Sequence, residues 1–195
     1  KDLYRLTNGT PLYLDICVDT YLQFKEQNPG VIPAIGIFGE NTSELVERFI
    51  RYMDTNSQEL VFSLICLENW TDELIESIGY KIYQNFNFVL YERIKNLSFI
   101  ICENGKYYVH KTVSEILLQK CPTQIKNKVA EALVDKFKPI VQSKKHFSTS
   151  YGEALAYIVR AGILIHISDE NELSEFLDDN IYRYLLPFSY NGFFE

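Results

Sequence analysis

Apolar residues recur along most of this chain at helical spacing, and the breaks between the runs divide it into segments. Leu14, Cys17, Val18, Tyr21 and Leu22 follow Pro11 at that spacing, so residues 11 to 26 read as a helix. Pro11 suits its first turn, because the N–H that proline lacks would find no intrahelical partner there. Between Gln27 and Gly39 stand Pro29, Gly30, Pro33, Gly36 and Gly39, a density of breakers that marks a linker. Beyond it, Thr42 or Ser43 can cap a helix striped by Leu45, Val46, Phe49, Ile50 and Met53. A second begins near Ser57 with Leu60, Val61, Leu64 and Ile65 inward. A third starts at Thr71, where Asp72 and Glu73 set negative charge at the positive end of the helix dipole, and runs through Leu74, Ile75, Ile78 and Ile82. Phe88 to Leu97 makes a fourth.

The period then changes. Ser98 to Glu103 and Lys106 to His110 are β-branched and aromatic runs joined by Asn104-Gly105, a strong hairpin signal. Three helices followed by a two-stranded wing is the order of a winged-helix module. From Thr112 the chain is helical again through Val113, Ile116 and Leu117, and after Pro122 through Ile125, Val129, Leu133, Phe137 and Ile140. Gly152 to Ile165 and Glu172 to Asp179 read as a further antiparallel pair with Ser168-Asp169 as the capping turn, and Tyr151 to Ala156 hints at tetratricopeptide-like packing. One such pair does not make a repeat. The expected fold is therefore mainly α: a lid helix and linker over residues 1–40, a winged-helix core over 41–121, and helical hairpins over 122–195.

Composition agrees with an ordinary globular chain, at 47% hydrophobic and 23% charged over 195 residues. The formal net charge of −7 argues against general affinity for nucleic acid, whose phosphates demand a basic face. Lysines dominate the charges from Lys106 to His146, among them Lys111, Lys120, Lys126, Lys128, Lys136, Lys138, Lys144 and Lys145. Acids dominate from Asp169 to Glu195, and the two segments read as solvated helix faces of opposite sign. No apolar run approaches the roughly 18 to 20 residues that cross a bilayer. The chain opens on Lys1 with no secretory pattern, so the expectation is a segment of a longer cytoplasmic protein.

Candidate chemistry is sparse. Cys17, Cys66, Cys102 and Cys121 lack the C-x-x-C spacing of a metal or dithiol site and read mostly as small core hydrophobes. The three histidines are scattered, and Glu40, Glu44 and Glu47 read as a solvated helix face. Neither a phosphate-cradling G-x-x-x-x-G-K-[ST] loop nor a G-x-G-x-x-G, G-x-S-x-G or H-E-x-x-H string occurs, so no autonomous enzyme and no bound metal or cofactor is expected.

Two short elements carry a family likeness. Gly9-Thr10-Pro11-Leu12-Tyr13-Leu14 resembles the G-x-P-L-x-L element that opens the lid helices of STAND signal-transduction ATPases, the class that includes NB-ARC proteins. Val109-His110-Lys111, after the hairpin and before Thr112 to Leu117, is similar in place to that family's Met-His-Asp element. The resemblance covers about residues 1–120 and implies a proline near adenine and a wing-end histidine on the diphosphate of ADP. Gly9, Pro11 and His110 are thus the nucleotide-sensing candidates. Val109 replaces Met and Lys111 replaces Asp, so the Asp-dependent part of that lock is not implied for this chain.

The resemblance implies a non-catalytic relay fragment of a larger ATPase, with ATP or ADP bound in the parent protein. Its partners would be an upstream nucleotide-binding domain and a protein held by the helical C-terminal segment. The alternatives are a winged-helix DNA-binding regulator, reading through Arg93, Lys95 and Asn96 with Lys106 in the wing, and a helical interaction scaffold. The scaffold reading draws on the closing aromatic stretch of Tyr182, Tyr184, Leu185, Phe188, Tyr190, Phe193 and Phe194.

Overall fold

Residues 2–143, 149–166 and 169–184 are described by the computed structural model. Across them the chain is mainly helical with one small antiparallel sheet, as its periodicity requires. It divides into two compact units, one of residues 1–75 and 83–121, the other of residues 76–82 and 122–195.

In the first unit α1 (Asp2–Thr7) turns into α2 (Pro11–Gln27) through Asn8 and Gly9, both left-handed at φ 50° and 70°. The turn is closed by the Thr10 N–H on the Thr7 carbonyl at 2.9 Å, and Pro11 follows as the first residue of α2. Ile16, Cys17 and Thr20 are the buried face of α2, which packs on α3 (Thr42–Tyr52). Asn41 caps α3 by accepting from Glu44 N–H at 2.9 Å, and Glu44 Oε2 reaches back to the Glu40 N–H at 3.0 Å. The first bond satisfies a donor that the opening helical turn leaves free, and the second ties down the residue before the cap.

Asp54 does the same for α4 (Thr55–Leu67), accepting from Ser57 N–H at 2.9 Å. Nearly every apolar side chain of α4 is buried, including Leu60, Val61, Leu64, Ile65 and Leu67, which makes it the central helix of the unit. Each such side chain contributes about 2 kcal/mol by leaving water. A two-residue strand, β1 (Asn69–Trp70), follows, then α5 (Asp72–Ile82) and α6 (Phe88–Lys95), the latter capped by Asn87 on Leu90 N–H at 2.8 Å.

The hairpin is β2 (Ile100–Glu103) and β3 (Lys106–Val109), paired from Ile100↔Val109 to Glu103↔Lys106. Asn104 and Gly105 turn it with φ of 52° and 78°, the sense that suits the twist of two antiparallel strands. β1 pairs with the other edge of β3, giving the order β1-β3-β2. Phe99 meets Phe49 edge to face at 5.4 Å beneath the sheet, and α7 (Lys111–Lys120) packs on α3 and α4 through Val113 and Leu117.

The second unit takes the last turns of α5 and adds α8 (Thr123–Gln142), α9 (Thr149–His166) and α10 (Glu170–Leu177), closed by a π-helical turn at Asp178–Tyr182. α8 and α9 form its main contact, with the Phe137 and Tyr157 rings stacked at 4.7 Å. Ile78 and Ile82 are buried on the α5 side, where Lys81 meets Asp135 at 3.1 Å. Asp169 caps α10 by accepting from Asn171 and Glu172 N–H at 2.9 and 3.1 Å. Lys144, Lys145, His146 and Ser168 lie outside the described residues, as do Leu185, Phe188, Tyr190, Phe193 and Phe194 of the aromatic stretch.

Candidate functional site

His110 leaves the sheet in a defined position. Its N–H donates to the Phe99 carbonyl at 2.8 Å, one rung beyond Ile100↔Val109, and its own carbonyl accepts from Ser114 N–H at 2.9 Å as the N-cap of α7. The imidazole is half-buried, and its Nδ1 is shielded from solvent without a hydrogen-bond partner among the described residues. A polar atom left in that state costs about 1 to 3 kcal/mol. Lys111, next in the chain, extends into solvent and approaches Glu115 at 3.9 Å, an exposed pair of small energetic weight.

Gly9 and Pro11 stand at the α1–α2 junction. The Tyr4 ring lies over Gly9 so closely that a Cβ there would come within 2.9 Å of Tyr4 Cε2. Pro11 is exposed. No hydrogen bond or ring contact among the described residues joins this junction to His110. α3 packs on both α2 and α7, the two helices that begin at Pro11 and after His110.

The α6 residues belong to two ionic clusters. In the first, Trp70 Nε1 donates to Tyr91 Oη at 3.1 Å, and Tyr91 Oη donates to Asp72 Oδ1 at 2.7 Å. Lys95 Nζ meets Asp72 Oδ1 at 3.1 Å and Glu92 Oε1 at 2.8 Å, and lies 4.8 Å from the ring centres of both Tyr91 and Tyr107. Burial pushes the Tyr91 hydroxyl well above its ordinary range, and the hydrogen bond to Asp72 adds to it. For Lys95, burial pulls downward, yet the bonds to Glu92, Asp72 and Tyr107 outweigh it and raise the ammonium above the usual value. Burial raises the Asp72 carboxyl too, but Tyr91 and Lys95 overcome that and hold it below the carboxylate range. Asn96 is the C-cap of α6 and bonds its Nδ2 to the Glu92 carbonyl at 2.8 Å.

The second cluster centres on Arg93, whose guanidinium meets Asp54 Oδ2 at 2.9 Å and also bonds Ser57 Oγ. Burial raises the Asp54 carboxyl, and the Ser57 hydrogen bonds with Arg93 more than reverse it, leaving it below the usual range. This pair stands between two shallow hollows of about 290 and 350 Å³. Gln23, Tyr52, Met53 and Ile94 help to line the first; Asn56, Asn87 and Val89 the second. Lys106 is exposed at the start of β3, opposite Glu103.

Asp54, Ser57, Asp72, Tyr91 and Tyr107 are the partners that sequence reasoning did not bring forward. Asp54 three residues before Ser57 carries a local capping signal. Asp72 meets Lys95 only through the tertiary fold. Among the described residues no three His, Cys, Asp or Glu side chains are grouped to hold a metal ion, and no helix is long and apolar enough to cross a membrane. Compared with protein-family models, curated proteins and solved structures, the chain matches none.

Proposed function

We propose that this chain is a non-catalytic regulatory segment of a larger STAND-like ATPase, relaying the nucleotide state of an upstream domain to a helical arm. The observation that carries the reading is the succession α4-β1-α5-α6-β2-β3 with sheet order β1-β3-β2, ending on His110. We read that succession as a winged-helix arrangement, which follows a helix opened by the Gly9-Thr10-Pro11 element. α2 adds support. Leu14, Val18, Tyr21 and Leu22 form an apolar stripe that stays 38 to 57% exposed, a surface suited to another domain. Reading DNA draws less support, since the Lys95 ammonium is engaged by Asp72, Glu92 and two aromatic rings and Arg93 by Asp54.

The test is to titrate ADP and duplex DNA, at low salt, into the parent polypeptide that includes the residues upstream of Lys1. ADP binding weakened about tenfold by His110→Ala, with unchanged thermal stability, is the expected result; one lost hydrogen bond to a charged group is worth that much. A parent gene without a phosphate-binding loop upstream, or ADP affinity indifferent to His110, sinks the reading. DNA binding weakened by Arg93→Ala would replace it with the regulator reading.

A further inference from the structure

Two thiols that are far apart in sequence meet in the first unit. Cys66 Sγ lies 3.5 Å from Cys121 Sγ, the first in the last turn of α4 and the second the C-cap of α7. Both are buried, Cys66 at 0% and Cys121 at 6% exposure, and the two helices pack directly on each other. Cys17 is buried in α2, and Cys102 is exposed on β2.

We propose that Cys66 and Cys121 are a redox modification site, a dithiol that a small hydroperoxide converts to an intramolecular disulfide. A disulfide has a sulfur separation of about 2.05 Å, so the sulfurs need to approach by only about 1.5 Å. Cys121 supplies the movement. It is the C-cap of α7, its N–H donating to the Leu118 carbonyl over a long 3.4 Å, and is the last residue of its unit. It is also the more exposed of the two and therefore reacts first.

In the first step the Cys121 sulfur attacks the peroxide O–O bond, taking one oxygen as a sulfenic acid while the other leaves as water or an alcohol. Cys66 sulfur then attacks the sulfenic sulfur. The S–S bond forms, the S–O bond breaks, and the hydroxyl leaves as water with the Cys66 proton. Two thiols are oxidised by the loss of two hydrogens, and one hydroperoxide is reduced.

The bond would join residues 55 apart, enclosing β1, α5, α6, β2, β3 and α7 in one covalent loop. Such a loop removes freedom from the unfolded chain, so oxidation becomes a stability signal: the oxidised protein should melt about 10 °C higher.

The test uses the full chain with hydrogen peroxide, read by intact mass, by thiol titration after denaturation, and by melting. Expected are loss of two hydrogen atoms in mass, disappearance of two thiols, a Cys66–Cys121 linked peptide, and full reversal by a dithiol reductant. A second protein carrying Cys17→Ala and Cys102→Ser should behave identically, whereas Cys121→Ser should keep its Cys66 thiol. Oxygen added at either sulfur without a bridge, links through Cys102 instead, or four thiols still titrating would each overturn the proposal.

Discussion

Lys95 and Asp72 form an ion pair at 3.1 Å in which the lysine is the hidden partner, its side chain 10% exposed against 47% for the aspartate. The pair joins the start of α5 to the end of α6, and through Tyr91 and Tyr107 it reaches Trp70 and the middle strand. Lys95→Ala would leave Asp72 and Glu92 without their cation and open space between two rings. The expected loss is about 2 kcal/mol. Trp70 is the single tryptophan and is fully buried, so its fluorescence in a urea titration reports the change directly. Lys106→Ala, on an exposed strand position, should stay within about 0.5 kcal/mol of the parent.

Acid should unfold the first unit in part through Asp54 and Asp72. Both carboxyls are held below the ordinary value in the folded chain. A depressed folded value stabilises above the unfolded value of about 4 and is lost as pH falls through the folded one. Stability by urea titration should therefore decline below about pH 4. In the Asp54→Asn, Asp72→Asn double variant the stability at neutral pH should be lower and the acid decline shallower. An unchanged acid slope would show that other carboxylates carry it.

The α1–α2 turn demands its glycine. At φ 70° with the Tyr4 ring above it, Gly9→Ala meets both a left-handed backbone and a contact at 2.9 Å. The cost should be about 1 kcal/mol, with Tyr4 able to swing away because it is largely exposed. Tyr4→Ala combined with Gly9→Ala should recover only the contact part, and a double-mutant cycle separates the two.

At the β2–β3 hairpin, Gly105→Ala should likewise cost about 1 kcal/mol, since the turn holds φ at 78° there. Amide exchange should quicken along β2 and β3 in this variant. At Trp70 Nε1, which bonds Tyr91 rather than the ladder, exchange should change less. Equal acceleration at both sites would mean that hairpin and core open as one body.

Local signals accounted for much of this. Pro11, the breakers after Gln27, and Asn104-Gly105 each act within a few residues of themselves, and the helices and hairpin stand where those residues allow them. β1 was not legible: two residues, Asn69 and Trp70, have no period, and they become a strand only because β3 offers an open edge. α1 was missed as well, being a single short run before the Gly9 turn. At the candidate site the sequence shows charges but not their partners. Lys95 and Arg93 look like free cations beside Glu92, and only the folded chain brings Asp72 and Asp54 to them. The thiol pair was hidden for the same reason, since nothing local links Cys66 to Cys121.

The order β1-β3-β2 also sets a sequence of events in time. β2 and β3 are neighbours in the chain and can zip from their two-residue turn within microseconds. Residue 69 pairs with residue 108 only after the chain between them has been drawn in, so β1 must wait for α5 and α6 to condense. Trp70 sits on that late strand. Refolding watched through its fluorescence should therefore trail the appearance of helix and hairpin, and the lag would time the closing of the core.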